Sequence, residues 1–213
     1  MQVPPEESPV LPLYLASKSP RRRELLESLG LRFTVEPTEV DERVAHGESP
    51  REHVVRLAAK KAATAASALR GRGIEALLLS ADTTVTIDGE ILGKPGDDAE
   101  ALAMLRRLAG RRHEVLTACR LVRTDDGRVA ATVVTSAVRF HPWSEPFARW
   151  YVATGEPMDK AGAYGIQGRG VLLCAGIDGS WSNVVGLPLE SLSSLFRDVG
   201  DDLLTRMEGD NRG

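Results

Sequence analysis

Only two of the 213 residues are cysteine. Cys119 follows Thr-Ala and Cys174 follows Leu-Leu, two apolar settings far apart in the chain. That pattern excludes a disulfide framework and a zinc site, and reads as reduced core thiols of a cytoplasmic protein. Long apolar runs are missing as well. None approaches the roughly 20 residues that span a bilayer, and the N-terminus lacks the hydrophobic core of a signal peptide. There is no excess of positive charge: 27 basic residues face 30 acidic ones, for a net charge of -3. This argues against a nucleic-acid polymer as partner, as the lack of long apolar runs argues against a membrane. No glycine-rich Walker pattern precedes a Lys and a Ser or Thr, which removes P-loop phosphotransfer. His113 has no second histidine or cysteine at ligand spacing and reads as structural. What remains is a chain long enough to bury about 70% of its unfolded surface without staples.

Against this balanced composition one stretch stands out: Leu13-Tyr14-Leu15-Ala16-Ser17-Lys18-Ser19-Pro20-Arg21-Arg22-Arg23-Glu24-Leu25-Leu26. It reads as a buried strand, a turn of small residues and a helix. Ser19 is placed to cap that helix, Pro20 fits its first turn, and Gly30 stops it. Such a turn leaves free N–H groups pointing at one spot, and Lys18, Arg21, Arg22 and Arg23 bring cations to it. Bases are unfavourable at a helix start, so their presence makes sense if a polyanion is the partner. A solvated basic face is the other reading.

Downstream, Arg32 to Val35 reads as a strand, and Glu36-Pro37-Thr38-Glu39-Val40-Asp41-Glu42 places four acids in seven residues. These are either loop solvation or oxygen ligands for magnesium or manganese. Ser49-Pro50-Arg51-Glu52 is a capping box that opens a helix to about Leu69, ending near Gly71. Its apolar stripe follows Val54, Leu57, Ala58, Ala62 and Ala65, with Lys61 on or beside it. That lysine either snorkels outward or projects into a cleft between lobes.

Leu77-Leu78-Leu79-Ser80-Ala81-Asp82 reads as a strand buried on both faces that ends in an acid, which puts Asp82 at a strand's carboxyl end, where ligands sit in open α/β sheets. A hairpin through Asp88-Gly89 leads to Gly93-Lys94-Pro95, a rigid bend suited to contact with a phosphate. A helix capped by Asp97 carries Leu102, Met104, Leu105 and Leu108. A long hairpin follows, His113 to Val122 and Val129 to Phe140. The next helix, after Ser144, is expected to bury Phe147, Trp150 and Tyr151. Glycines 162, 165, 168 and 170 then permit tight turns and close ligand approach, and Gln167 among them offers an amide to a base edge. This segment is expected to open into a strand from Val171 to Ala175, with a last helix over about Pro188 to Val199.

Three stretches appear in one order: Ser17-Lys18-Ser19-Pro20-Arg21-Arg22; Ala81-Asp82-Thr83 with Gly93-Lys94-Pro95; and Asp159-Lys160-Ala161-Gly162-Ala163-Tyr164-Gly165-Ile166-Gln167-Gly168. From about Leu13 to Phe196 the chain resembles the Maf family of nucleoside triphosphate pyrophosphatases, which are related in fold to the inosine triphosphate pyrophosphatases. The resemblance implies an α/β fold, a mixed curved sheet flanked by helices, with two lobes and a central cleft. It implies hydrolysis of a nucleoside triphosphate to the monophosphate and pyrophosphate with a divalent cation, Mg2+ or Mn2+. Asp82 would be the proton acceptor and a metal ligand, with Glu42 as second ligand. Ser17, Arg21, Arg22, Lys61, Thr83, Lys94 and Gln167 would bind the substrate. The Ala-Gly-Ala-Tyr-Gly-Ile-Gln-Gly version of the third motif is typical of the branch acting on dTTP and UTP. A methylated-GTP or broader-specificity pyrophosphatase, and a nucleotide-sensing regulator of septum formation, are the alternatives. A homodimer is expected by the same resemblance. Residues 1–12 are expected to be a disordered extension, 13–206 a single two-lobed catalytic domain, and 207–213 a polar tail.

Overall fold

The computed structural model describes residues 10–208. A mixed seven-stranded sheet runs in the order β2 (Thr34–Val35), β1 (Leu13–Ala16), β3 (Leu77–Ile87), β5 (Arg112–Arg123), β6 (Val129–Phe140) and β7 (Cys174–Asp178), with β4 (Glu90–Leu92) also paired to β3. β1 is parallel to both β2 and β3, whereas along β3, β5, β6 and β7 each strand is antiparallel to its neighbour. The fold class implied by the resemblance is therefore the one observed.

β3 organises the rest. It pairs with β5 from Leu77 to Thr86, and its side chains alternate between two helical layers. Leu78 packs with Ala62, Ala65, Ala66 and Leu69 of α2 (Pro50–Gly71). On the opposite face Leu79 and Ala81 join Leu25 and Leu26 of α1 (Pro20–Glu27). That cluster extends to Leu192, Leu195 and Phe196 of the later helix Leu192–Asp198. At the far end of β3, Val85 and Ile87 pack with Leu105 and Leu108 of α3 (Asp98–Leu108) and Tyr151 of α4 (Glu145–Ala153). Two apolar clusters thus bracket the middle of one strand.

The edge of β3 that faces away from β5 is covered twice and left open between. β1 covers it only as far as Ser80, the partner of Ala16. β4 covers it again from Val85, the partner of Leu92. Among the described residues no strand pairs with 81–84 on that side. Asp88 and Gly89, with φ of 55° and 79°, make the tight turn between β3 and β4.

Several expectations change. Asp82 is in the middle of an 11-residue strand, not at its carboxyl end. Ser80, Thr84 and Thr86 are buried, and Ser80 donates to the Ala58 carbonyl, so small hydroxyl side chains carry the strand through a stretch that looks like its end. What stops beside Asp82 is β1. The strand expected from Val171 begins at Cys174, because 168–173 forms a 3-10 turn with Val171 and Leu172 exposed. Trp150 is exposed, and Ala148, Tyr151 and Val152 form the buried face of α4. Ser19 occupies the N-cap position of α1 without a side-chain hydrogen bond. The strand expected over 32–35 is only Thr34–Val35.

Leu11 and Pro12, assigned above to a disordered extension, are part of the fold: Leu11 is buried and Pro12 accepts a hydrogen bond from the Leu77 N–H. Met207, assigned to a polar tail, packs on the first apolar cluster from a short helix, Leu203–Glu208. The rest of the extension and tail, 1–9 and 209–213, lies outside the described residues. Both cysteines are free. Cys119 is buried, and burial pushes its thiol up to about 12. Among the described residues no helix is long and apolar enough to cross a membrane.

Candidate active site

The open edge of β3 forms the floor of a cleft of about 780 Å³. Because the edge is uncovered, both faces of the strand contribute to it. Asp82 comes from the face toward α2, and Thr83 from the face toward α1. Ser17, Arg21 and Arg22 reach the cleft from the β1–α1 turn, Lys61 from α2, Lys94 from the bend after β4, Glu42 and Gln167 from loops. Every residue that the resemblance assigns to binding or catalysis lines this one cavity, as does Lys18, whereas Arg23, read with them as a cation of the β1–α1 turn, does not.

Lys61 is the centre of charge. Its Nζ donates to Asp82 Oδ1 at 2.6 Å and pairs with Glu42 Oε1 at 2.7 Å. Lys61 and Asp82 are 7% and 6% exposed, so this lysine does not snorkel outward. Lys94 pairs with the other Glu42 oxygen at 3.3 Å. Burial pushes the Glu42 carboxyl up, but Lys61 and Lys94 together outweigh it and hold the group below the usual carboxylate range. Two carboxylates therefore converge on one ammonium.

Arg22 is buried, and its guanidinium joins three segments. Nε donates to the Gly186 carbonyl at 2.8 Å, Nη1 to Ser17 Oγ at 3.2 Å and Nη2 to Thr83 Oγ1 at 3.0 Å. Thr83 Oγ1 lies 2.9 Å from Thr117 Oγ1 of β5, which fixes the hydroxyl further. Burial lowers the Arg22 pKa, with the Asp82 carboxylate opposing the shift. Arg21 Nη1 donates to Asp159 Oδ2 at 2.7 Å. Gln167 forms no hydrogen bond through its amide among the described residues and borders the cleft.

The four acids of 36–42 divide. Glu42 alone meets Lys61; Glu39 pairs with Lys18, Asp41 with Arg43 and Glu36 with Arg72. Sequence reasoning missed that Glu39 and Asp159 are counter-ions of the cleft cations. An acid's partner many residues away leaves no mark on local spacing.

Among the described residues no group of three or more His, Cys, Asp or Glu side chains is placed to hold a metal ion. Two carboxylates on one nitrogen are still a fitting donor set for magnesium or manganese, which bind through one or two carboxylates plus phosphate oxygens and water. A cleft in an α/β sheet that collects cations and hydroxyls around a convergent carboxylate pair has the chemistry that suits a polyphosphate.

The family model described as Maf-like protein matches residues 12–199. The chain belongs to the Maf family. A protein of Symbiobacterium thermophilum named dTTP/UTP pyrophosphatase is 51% identical over 193 residues, covering 91% of this chain and 96% of that protein. One of the same name from Burkholderia pseudomallei is 48% identical over 203 residues, covering 92% and 97%. Among solved structures, a nucleoside-triphosphatase / dITP/XTP pyrophosphatase from Mycobacterium abscessus aligns with a TM-score of 0.41 at 17% identity, over 88% of this chain and 94% of that one.

Proposed function

We propose that this protein hydrolyses dTTP and UTP to the nucleoside monophosphate and pyrophosphate, clearing excess or non-standard nucleotides. The observation that carries the reading is the meeting of Asp82, Glu42 and Lys61 at the open edge of β3, in one cleft with Arg21, Arg22 and Lys94. The names of relatives about half identical over nearly the whole chain supply the substrate class. The cytoplasm as location and a homodimer as assembly belong to the same proposal.

A triphosphate brings about four negative charges, and Arg21, Lys61 and Lys94 would hold them. Lys61 has a third N–H beyond the two that meet carboxylates, and Lys94 is exposed enough to swing between Glu42 and a phosphate. Arg22 would set Thr83 and Ser17 against the substrate while presenting its own charge. Water attacks the phosphorus nearest the sugar: a new P–O bond forms, the bond to the bridging oxygen breaks, and its electron pair leaves with pyrophosphate. Asp82 accepts the proton. Lys61 fixes Oδ1 of that carboxylate, and Oδ2 has no protein partner among the described residues. Glu42 and Asp82 are the residues that would hold a divalent cation. When bound, it supplies charge neutralisation on the phosphates and makes water easier to deprotonate.

For the base, a pyrimidine edge offers a carbonyl and a ring N–H, and the Gln167 amide can answer both. The direct test is product identification with a panel of triphosphates and added Mg2+ or Mn2+. Monophosphate and pyrophosphate, with dTTP and UTP ahead of ATP and GTP, are expected. Diphosphate and orthophosphate would overturn the reaction. Gln167→Ala should lower kcat/KM for UTP and narrow its lead over CTP, since an unanswered polar edge costs about 1–3 kcal/mol.

A further inference from the structure

Gln167 sits on a loop with little local support of its own. Glycines at 165, 168 and 170 leave the backbone free, and the 3-10 turn that follows has exposed apolar residues. Yet the loop is folded tightly on itself. A Cβ on Gly170 would lie 2.0 Å from the Gly165 carbonyl oxygen and 2.7 Å from the Tyr151 hydroxyl, so only glycine fits. Something outside the cleft holds these two ends together with Gln167 between them.

That something is Glu156. Its Oε1 accepts the Gly170 N–H at 2.9 Å and the Tyr151 hydroxyl at 2.9 Å, and its Oε2 accepts the Arg169 N–H at 3.1 Å. The Tyr151 oxygen in turn accepts the Gly165 N–H at 3.2 Å. One carboxylate and one phenol therefore take up the backbone donors on both sides of Gln167. Neither residue borders the cleft. Every group facing the carboxylate is a donor, which suits an acceptor-only side chain and no other. Lys160 adds a second tie: its Nζ donates to the Glu156 carbonyl at 2.5 Å and to Asp159 Oδ1 at 2.6 Å, and Asp159 accepts from Arg21.

We propose that Glu156, with Tyr151, is a positioning residue for base choice: it fixes the 165–170 loop so that the Gln167 amide meets the nucleobase. This rests on the pyrimidine reading of the preceding section. Glu156 touches neither phosphate nor water in that scheme. Its loss therefore acts on discrimination between bases and leaves the phosphate half of the site alone. Glu156→Gln is the sharper variant, because it keeps size and turns one acceptor into a donor against a backbone N–H. Tyr151→Phe is the gentler one, removing a single hydroxyl from a buried ring.

The experiment measures kcat/KM for UTP and GTP, together with inhibition by inorganic pyrophosphate, on the full chain and both variants. In Glu156→Gln the UTP-to-GTP ratio should fall about tenfold, the effect of one or two lost, partly buried hydrogen bonds to a charged acceptor. Tyr151→Phe should move it in the same direction by less, and pyrophosphate inhibition should hold in both. A parent protein that favours UTP, with variants that keep its ratio, overturns this inference alone. Ratio and pyrophosphate inhibition lost together in Tyr151→Phe also overturn it, since the residue is then general scaffold. A parent protein without a preference for UTP overturns the pyrimidine reading first, and this inference with it.

Discussion

Two N–H groups of Lys61 are committed to carboxylates, and this shapes what each cleft substitution does. Asp82→Asn keeps an oxygen for Lys61 while removing the proton acceptor. Its kcat should drop at least ~10²-fold, as for loss of a general base. Its melting temperature should stay close to that of the parent, as a thermal scan would show. Near-normal turnover would put the base elsewhere, with Glu42 next in line. Arg22 and Arg23 offer a matched pair one step apart on α1. Arg22 is buried against Ser17, Thr83 and Gly186, whereas Arg23 is exposed. Arg22→Ala should cost roughly 2–4 kcal/mol of transition-state stabilisation, read from kcat/KM, and Arg23→Ala almost nothing. Equal effects would mean diffuse attraction in place of a defined contact. The identity of the cleft residues was legible in the sequence because each sits in a short run of unusual composition. Their partners were not. Nothing near Arg21 points to Asp159, which is 138 positions away.

α2 shows where local signals suffice. Ser49 Oγ accepts the Glu52 N–H and Glu52 Oε2 accepts the Ser49 N–H at 2.9 Å, the reciprocal pair that the sequence pattern announces. Ser49→Ala should cost about 1 kcal/mol in urea unfolding, the usual value of a lost cap, with kcat unchanged because the exposed box lies about three helical turns before Lys61. A kcat change would mean that the start of α2 is coupled to the cleft. β3 shows where local signals fail. The hydroxyl-rich run from Ser80 to Thr84 looks like an ending, and only long-range pairing with β5 shows that it continues. The same holds for 168–173, where apolar residues suggest a strand but the chain makes a 3-10 turn before β7 begins at Cys174. Periodicity reports which faces are apolar; it cannot report what lies opposite.

For the molecule as a whole, the response to acid follows from groups whose pKa is depressed by folding. His113 is buried in the second apolar cluster, its Nε2 2.7 Å from the Tyr164 hydroxyl and its ring edge-on to Phe140. Burial lowers its pKa from 6.5 to about 4. The unfolded chain therefore takes up this proton first as pH falls. The stability that comes from keeping His113 neutral is complete above pH 6.5 and disappears on the way down to about pH 4. At ~1.4 kcal/mol per unit, the loss approaches about 3 kcal/mol. The Glu42 and Asp159 carboxyls, both held below their ordinary values, add to the loss in the same direction below about pH 4.5. Urea midpoints should hold from pH 7.5 to about 6.5 and decline from there to pH 4.5, and His113→Gln should flatten that decline. An unchanged decline in the variant would mean that His113 does not set the acid response above pH 4.5.

The uncovered edge of β3 also bears on how the protein behaves in company. An unpaired strand edge is a template on which another chain can add a strand, and proteins that keep one tend to block it with charge. Here residues 81–84 lie between strands that stop short on either side, with Asp82, Lys61 and Arg22 set inward around them. The charges proposed to grip a triphosphate thus guard the same backbone against its own kind. Variants that neutralise several of them at once should lose solubility as well as activity.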